Sequence, residues 1–478
     1  MADINLGVGG ANSATGGYEI DNSCKFEADN VEKMTHTYDS APTSQKKGTI
    51  SMWFKRTEIG SNIGLFQFGD DASGNYLSLR WGRDIYGSLE TYGMRLGGTN
   101  FSVGNSYGAI RDTSAWYHVV IAIDTTQATS TNRFKVYRNG VEPGWSTDNT
   151  SNITQNADLA IGENGKDIMI GEGVYRYNGY IAEVHYVDGQ QLTSADFGEY
   201  DDDSGIWKPK AYTGTYGNNG FYLDFSNASN LGEDQSGNNH DFTLNNITSA
   251  NQATDTPTNN FAIPNVIGNT RANAFTYVEG ATRISHQGGN DWNSWANTIA
   301  VGSGKWYAEF KIIGAGNHFV GVGSEDYYFI GAGNGTGFPE IYYGYSGTNS
   351  VGLYSANGNI YNNGTIVVIG TTFTNNDIIS VALDTDNGKV YFAKNGTYIN
   401  SQNPVTGTNA QNLPDTEARY FIGTSEYGSN IGADCNFGGY TAGTISSAAT
   451  DANGYGTFEY APPSGYYALC TKNLAEYG

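Results

Sequence analysis

Two kinds of residue in this chain have the types and spacing to do chemistry: paired carboxylates and dense aromatic clusters. Cleaving a glycosidic bond needs two carboxyl groups flanking it. The sequence approaches such a pair only at Glu19-Ile-Asp21-Asn-Ser-Cys24, which lacks a second glutamate. The six histidines, His36, His118, His185, His240, His286 and His318, are scattered. His118 and His185 fall inside alternating strand patterns, where packing is the expected role. No G-x-S-x-G, phosphate loop or H-E-x-x-H occurs. The expectation is therefore no catalytic residue and no enzyme. The aromatic clusters say more. Tyr327, Tyr328, Phe329, Tyr342, Tyr343, Tyr345 and Tyr354 are interleaved with Gly, Asn and Ser. Tyrosine offers a large, rigid, amphipathic face at low entropic cost, and its small polar neighbours give adaptable hydrogen bonds. Those faces suit sugar rings, and they suit contacts between subunits equally well.

Such residues need elements to hold them, and composition indicates which. Glycine numbers 65 and tyrosine 35 in 478 residues. Tyr and Thr favour pleated, half-buried surfaces, while Gly and Asn supply the left-handed turns that many short strands require. The fold class expected is all-β. The length allows two to four domains at roughly 100–200 residues each. A net charge of −23 opposes binding to a duplex or an anionic lipid surface, so neither nucleic acid nor membrane is an expected partner. Cys24, Cys435 and Cys470 are odd in number and far apart, which indicates neither a disulfide framework nor a zinc site. The first residues lack the basic start and apolar run of an export signal.

Period-2 apolar runs recur, among them Thr49-Ile-Ser-Met-Trp-Phe-Lys55, Tyr117-His-Val-Val-Ile-Ala-Ile123 and Trp306-Tyr-Ala-Glu-Phe-Lys-Ile312. Asn-Gly pairs at 139–140, 387–388 and 395–396 follow such runs and predict type I′ hairpin turns. Two hairpin-rich blocks result, 26–200 and 268–445, each expected to be a β-sandwich. The polar stretch 201–267 either connects them or completes the first. Residues 1–25 and 446–478 are expected as extended terminal arms.

The motifs resemble known families. Gly48-Thr-Ile-Ser-Met-Trp-Phe-Lys55, Trp116-Tyr-His-Val-Val with Phe134-Lys-Val-Tyr-Arg-Asn-Gly-Val141, and Tyr177-Asn-Gly-Tyr-Ile-Ala-Glu-Val-His-Tyr186 followed by Leu192-Thr-Ser-Ala-Asp196 resemble a laminin-G-like, concanavalin-type domain. In the second block, Gly304-Lys-Trp-Tyr-Ala-Glu-Phe310, Phe319-Val-Gly-Val-Gly323, the segment Asp377–Gly396 and Asn436-Phe-Gly438 resemble a SPRY domain. The first resemblance implies calcium as a possible, non-essential cofactor in a rim loop, for which Asp70 and Asp71 are the candidates. Asp384-x-Asp386-Asn387-Gly388 is instead expected to be a hairpin turn. The second resemblance implies partner recognition by loops at one end of the sandwich, where the tyrosines fall. The chain's ends, Gly17–Phe26 and Tyr460–Leu474, are similar to those of virion proteins of marine tailed bacteriophages, which carry both modules in tail fibres, appendages and head decorations. That resemblance implies a virion protein made in the host cytoplasm and released by lysis. It would be a homo-oligomer contacting other virion proteins and a host-surface glycan. A bacterial adhesin or lectin and a glycan depolymerase are the rival readings.

Overall fold

The computed structural model describes residues 17–59, 63–70, 75–81, 92–96, 99–101, 104–105, 110, 112–142, 145–147, 153–173, 175–269, 275–288, 291–326 and 342–478. They form two units, one ending at Thr258 and the other running from Asn259 to Gly478. Each is a β-sandwich with its own core.

In the first unit one sheet runs Phe134–Arg138, Tyr117–Asp124, Lys47–Arg56, Gly179–Asp188, Ser23–Phe26 and Gln252–Ala253, with Phe221–Leu223 also paired to Gly179–Asp188. The other runs Thr243–Asn245, Lys33–Thr37, Asp167–Ile170, Ile63–Asp70, Asn75–Trp81, Tyr92–Leu96 and Thr99–Phe101. Alternation sets which side chains enter the core. Ile50, Met52 and Phe54 point inward beside Val119 and Ile121 of the neighbouring strand. The other face of Lys47–Arg56 is buried as well, because later chain covers it. Trp207 lies so close to Gly140 and Gly198 that a Cβ on either would meet its ring at 2.4 Å. Gly140 (φ 82°) is the second residue of a turn with Asn139 (φ 46°), the predicted type I′ geometry.

Three strands from 201–258 are integral to this sandwich, and Phe221, Leu223, Phe225, Leu231, Phe242 and Ile247 enter its core. Of the two readings of 201–267, completion therefore describes the part up to Thr258. Residues 17–25 are also built in. Ser23–Phe26 is flanked by strands on both sides, and the Ile20 amide donates to Thr258 Oγ1 at 3.1 Å.

In the second unit one sheet runs Pro264–Asn269, Asn293–Asn297, Tyr420–Tyr427, Asn317–Ser324, Ser350–Tyr354, Ile360–Asn362 and Thr365–Val367. The other is ordered Phe275–Val278, Arg283–His286, Ile431–Asn436, Lys305–Ile313, Ile378–Asp384, Lys389–Lys394 and Thr397–Tyr398. Leu383 pairs with Val390 and Val381 with Phe392, all facing the core. The turn between these two strands differs from the prediction. Asp384 pairs with Lys389, so four residues form the loop, and of Asn387 and Gly388 only the glycine has positive φ. The reason is Asp384, whose carboxylate accepts from the Asn387 amide at 3.0 Å and holds Asn387 out of the left-handed region. Asn395–Gly396 does have both residues at positive φ.

Residues 446–478 pack on their own domain. Tyr467–Ala468 pairs in parallel with Lys305–Ile313, a helix follows at Thr471–Tyr477, and Phe458, Tyr466, Ala468 and Cys470 cluster with Phe261, Tyr307, Ala382 and Tyr391. Glu309 fastens this segment. Its buried carboxylate accepts from the Glu459 and Tyr460 amides at 2.8 and 2.9 Å and from the Tyr307 hydroxyl at 2.9 Å. The three cysteines are buried and unpaired with one another. No helix among the described residues is long and apolar enough to cross a membrane.

Candidate functional site

The second domain's seven-stranded sheet has a core face and an outer face. Val320, Val322, Val351, Leu353 and Ile360 point into the core, so alternation turns Phe319, Gly321, Gly352, Tyr354 and Tyr361 outward. Gly423, Gly321 and Gly352 stand in register on three adjacent strands and form a stripe without side chains. Tyr343 lies across that stripe. A Cβ at Gly352 would meet the Tyr343 carbonyl oxygen at 2.5 Å, and one at Gly423 would meet the Tyr343 hydroxyl at 2.7 Å. The hydroxyl donates to the Trp295 carbonyl at 2.7 Å, and the ring is fully buried. Tyr343 was expected to bind ligand; here its role is to anchor the segment that carries its neighbours. Gly352→Ala should push this anchor off the sheet and destabilise the domain by about 1–3 kcal/mol, the usual range for overpacking. Thermal unfolding together with near-UV circular dichroism of the tyrosines checks this.

The anchored segment and the strands beneath it assemble an aromatic face around Phe319. Tyr342 and Tyr354 each stack on Phe319 with ring centroids 4.6 Å apart. Trp292 packs on Phe319, Tyr342 and Tyr354 at 5.1–5.9 Å and on Tyr427 at 5.5 Å. Tyr361 meets Phe319 edge-on at 5.3 Å, and Tyr345 meets Tyr342 at 5.3 Å. Trp292, Tyr342, Tyr345, Tyr354 and Tyr361 remain partly exposed. Amides border the rings: the Tyr354 hydroxyl donates to Asn317 Oδ1 at 2.9 Å, and Asn357 Nδ2 donates to the Tyr361 hydroxyl at 3.2 Å. The structure thus brings Tyr342, Tyr345 and Tyr354 together and adds Trp292, Phe319, Tyr361 and Tyr427. Alternation around Phe319-Val-Gly-Val-Gly323 was the available signal for Phe319. Tyr327, Tyr328 and Phe329 lie outside the described residues.

The other candidates are placed as follows. Asp70 closes the strand Ile63–Asp70; its side chain and all of Asp71 lie outside the described residues. Among the described residues no three His, Cys, Asp or Glu side chains converge as metal ligands. Asp384 is occupied by Asn387 and by Lys305 at 3.0 Å. Glu19 and Asp21 are exposed. His118 is buried between Trp53 and Trp207, with Nε2 2.8 Å from Ser51 Oγ and Nδ1 accepting from the Trp207 indole at 3.0 Å. Burial lowers its pKa to about 3, so it stays neutral. His185 is stacked on Tyr222 at 4.3 Å, with Nδ1 2.9 Å from the Tyr216 hydroxyl.

One polar group is interior. Asn293, Glu426 and His318 stand in register on three neighbouring strands and face inward with Trp295, Thr424 and Val320. Glu426 Oε1 accepts from the Thr424 hydroxyl. Glu426 Oε2, Asn293 Oδ1 and the His318 ring nitrogens have no hydrogen-bond partner among the described residues. Burial raises Glu426 to about 8, against the Thr424 hydrogen bond, and lowers His318 to about 4, against the nearby Gly314 backbone. Both are therefore uncharged at neutral pH.

Residues 30–197 match the Concanavalin A-like lectin/glucanases superfamily, laminin-G type, and residues 305–437 match the SPRY domain. Among solved structures the chain is similar to the SPRY domain of human HERC1, at 18% identity over 36% of this chain and 94% of that one, with a TM-score of 0.27. It is also similar to the native heptameric SAP-like pentraxin from Limulus polyphemus, at 16% identity over 37% of this chain and 79% of that one, with a TM-score of 0.27. No curated protein matches the chain. The chain thus carries a domain of the concanavalin A-like lectin/glucanase type and a SPRY domain.

Proposed function

We propose that this chain is a non-enzymatic virion protein, a tail fibre, appendage or head decoration, whose SPRY aromatic face holds a neutral glycan of the host surface. The aromatic face around Phe319 carries the reading. Flat rings bordered by Asn amides match the two surfaces of a sugar, its apolar C–H face and its hydroxyl edge. The net charge of −23 favours an uncharged glycan over an anionic one. Two lectin-like modules on one acidic chain suit a protein displayed in many copies on a particle.

Glycan-array binding of the purified protein, followed by titration of Tyr342→Ala/Tyr354→Ala, tests the site. The double variant is expected to weaken binding about tenfold or more, since losing tenfold corresponds to only 1.4 kcal/mol. Wild-type affinity in that variant would remove the face from recognition, and cleavage of an array glycan would favour a depolymerase. Mass spectrometry of purified particles tests the virion assignment separately, and absence of the chain from them would favour an adhesin.

A further inference from the structure

The seven-stranded SPRY sheet ends at Thr365–Val367, beyond which no described strand pairs. Asn363 (φ 47°) and Gly364 (φ 88°) form a two-residue turn, so Asn362 and Thr365 close the hairpin with their mutual hydrogen bonds. Ile366, one step on, is then a non-bonded position whose amide and carbonyl point away from Ile360–Asn362. Ile366 shares the outward face with Tyr361, its cross-strand partner, while Val367 and Ile369 pack on the core. Ile366 is 52% exposed and Val368 80% exposed, among the few large hydrophobic side chains left open in the described residues.

Exposed strand edges are normally guarded by a lysine, a proline, a bulge or an inward charge, because they template pairing with another chain. This edge has none of these. Residues 341–376 contain no Asp, Glu, Lys, Arg or His, in a chain of net charge −23. Copies of so acidic a protein repel one another over most of their surfaces, and this neutral, β-branched edge lacks that repulsion. A strand edge is also self-complementary under two-fold rotation, as an isologous interface requires. We infer that Thr365–Val367 pairs antiparallel with the same strand of a second copy, joining two SPRY sheets into one, with Ile366 and Val368 packed across the junction.

This rests on the proposal that the chain is displayed in many copies on a particle, and not on glycan recognition. The test is sedimentation velocity of the full chain and of Ile366→Lys/Val368→Lys, whose positions are exposed enough to accept lysine without unfolding. Far-UV circular dichroism confirms the variant's fold. The wild type is expected at twice the mass of one chain, and more completely at high salt, where the like-charge repulsion is screened. The lysine variant is expected at the mass of one chain. A variant that still assembles overturns the edge assignment while leaving assembly itself in place; a monomeric wild type overturns both. Because Ile366 stands beside Tyr361 on the outward face, glycan binding is read in the single variant Val368→Lys, whose position is paired to no ring of the cluster, and its retention there separates this inference from the recognition site.

Discussion

Asp255→Ala is expected to destabilise the N-terminal sandwich by about 3–5 kcal/mol, the range for removing one partner of a buried ion pair. Lys55 is 0% exposed and Asp255 1% exposed, and Lys55 Nζ donates to Asp255 Oδ2 at 2.7 Å. The Trp116 indole donates to Oδ1 at 3.0 Å, and the Ser23 hydroxyl to the Asp255 backbone carbonyl at 2.6 Å. Removing the carboxylate therefore deprives the buried ammonium of the charged acceptor 2.7 Å away, and strips the indole N–H of its acceptor. Against a typical total of roughly 5–15 kcal/mol, that loss takes a large share. The control is Lys55→Met/Asp255→Leu, which removes both charges and should recover most of it. Urea unfolding of the three proteins decides the matter. A midpoint in Asp255→Ala equal to the wild type would mean that the pair contributes nothing.

The second large effect is a loss of SPRY-domain stability with rising pH. Glu426 is raised from its ordinary 4.5 to about 8 because burial disfavours its anion. The folded state therefore binds a proton more tightly than the unfolded chain does. Its contribution is complete below pH 4.5 and is lost as pH climbs through 8, about 5 kcal/mol in all for this group. His318 has the opposite sign. Its lowered pKa, about 4 against an ordinary 6.5, takes stability away as pH falls below 6.5 and on through 4. Glu426→Gln keeps an oxygen for the Thr424 hydroxyl and cannot ionise, so it should abolish the alkaline decline and leave the acid one. Unfolding midpoints at pH 5 and pH 9 show the result. Equal alkaline losses in wild type and Glu426→Gln would show that Glu426 is not the group responsible.

The parts of this protein that were legible in the sequence are those set by neighbours a few residues apart. Alternation placed Ile50, Met52 and Phe54 on one face, and Asn139–Gly140 announced its own turn. Asn387–Gly388 did not, because the Asp384 carboxylate, three residues earlier, selects a four-residue loop. Contacts across long separations were hidden. Nothing local in Trp116 specifies Asp255 as its acceptor, and the polar run 201–258, legible only as a connector or a completion of the first sandwich, does not say that Phe221, Leu223 and Phe242 pack into the core that holds Phe26. Composition identified Tyr342, Tyr345 and Tyr354 as a group, yet could not separate them from Tyr343. That distinction comes from Gly321, Gly352 and Gly423, which lie on three different strands and become a stripe only once those strands are in register.

The way the SPRY domain's two ends meet has a mechanical consequence. Asn260 and Thr471 exchange hydrogen bonds, the Ala262 amide donates to the Leu469 carbonyl at 2.9 Å, and Phe261 bridges Cys470 antiparallel. Chain entering at Asn259 and chain leaving through Thr471 thus depart from the same end of one short antiparallel ladder. Tension applied along the backbone pulls that ladder open from its end, so its hydrogen bonds bear load one after another rather than together. A clasp of this geometry gives way bond by bond once the helix Thr471–Tyr477, whose Leu474 and Tyr477 pack on the core, has been drawn off.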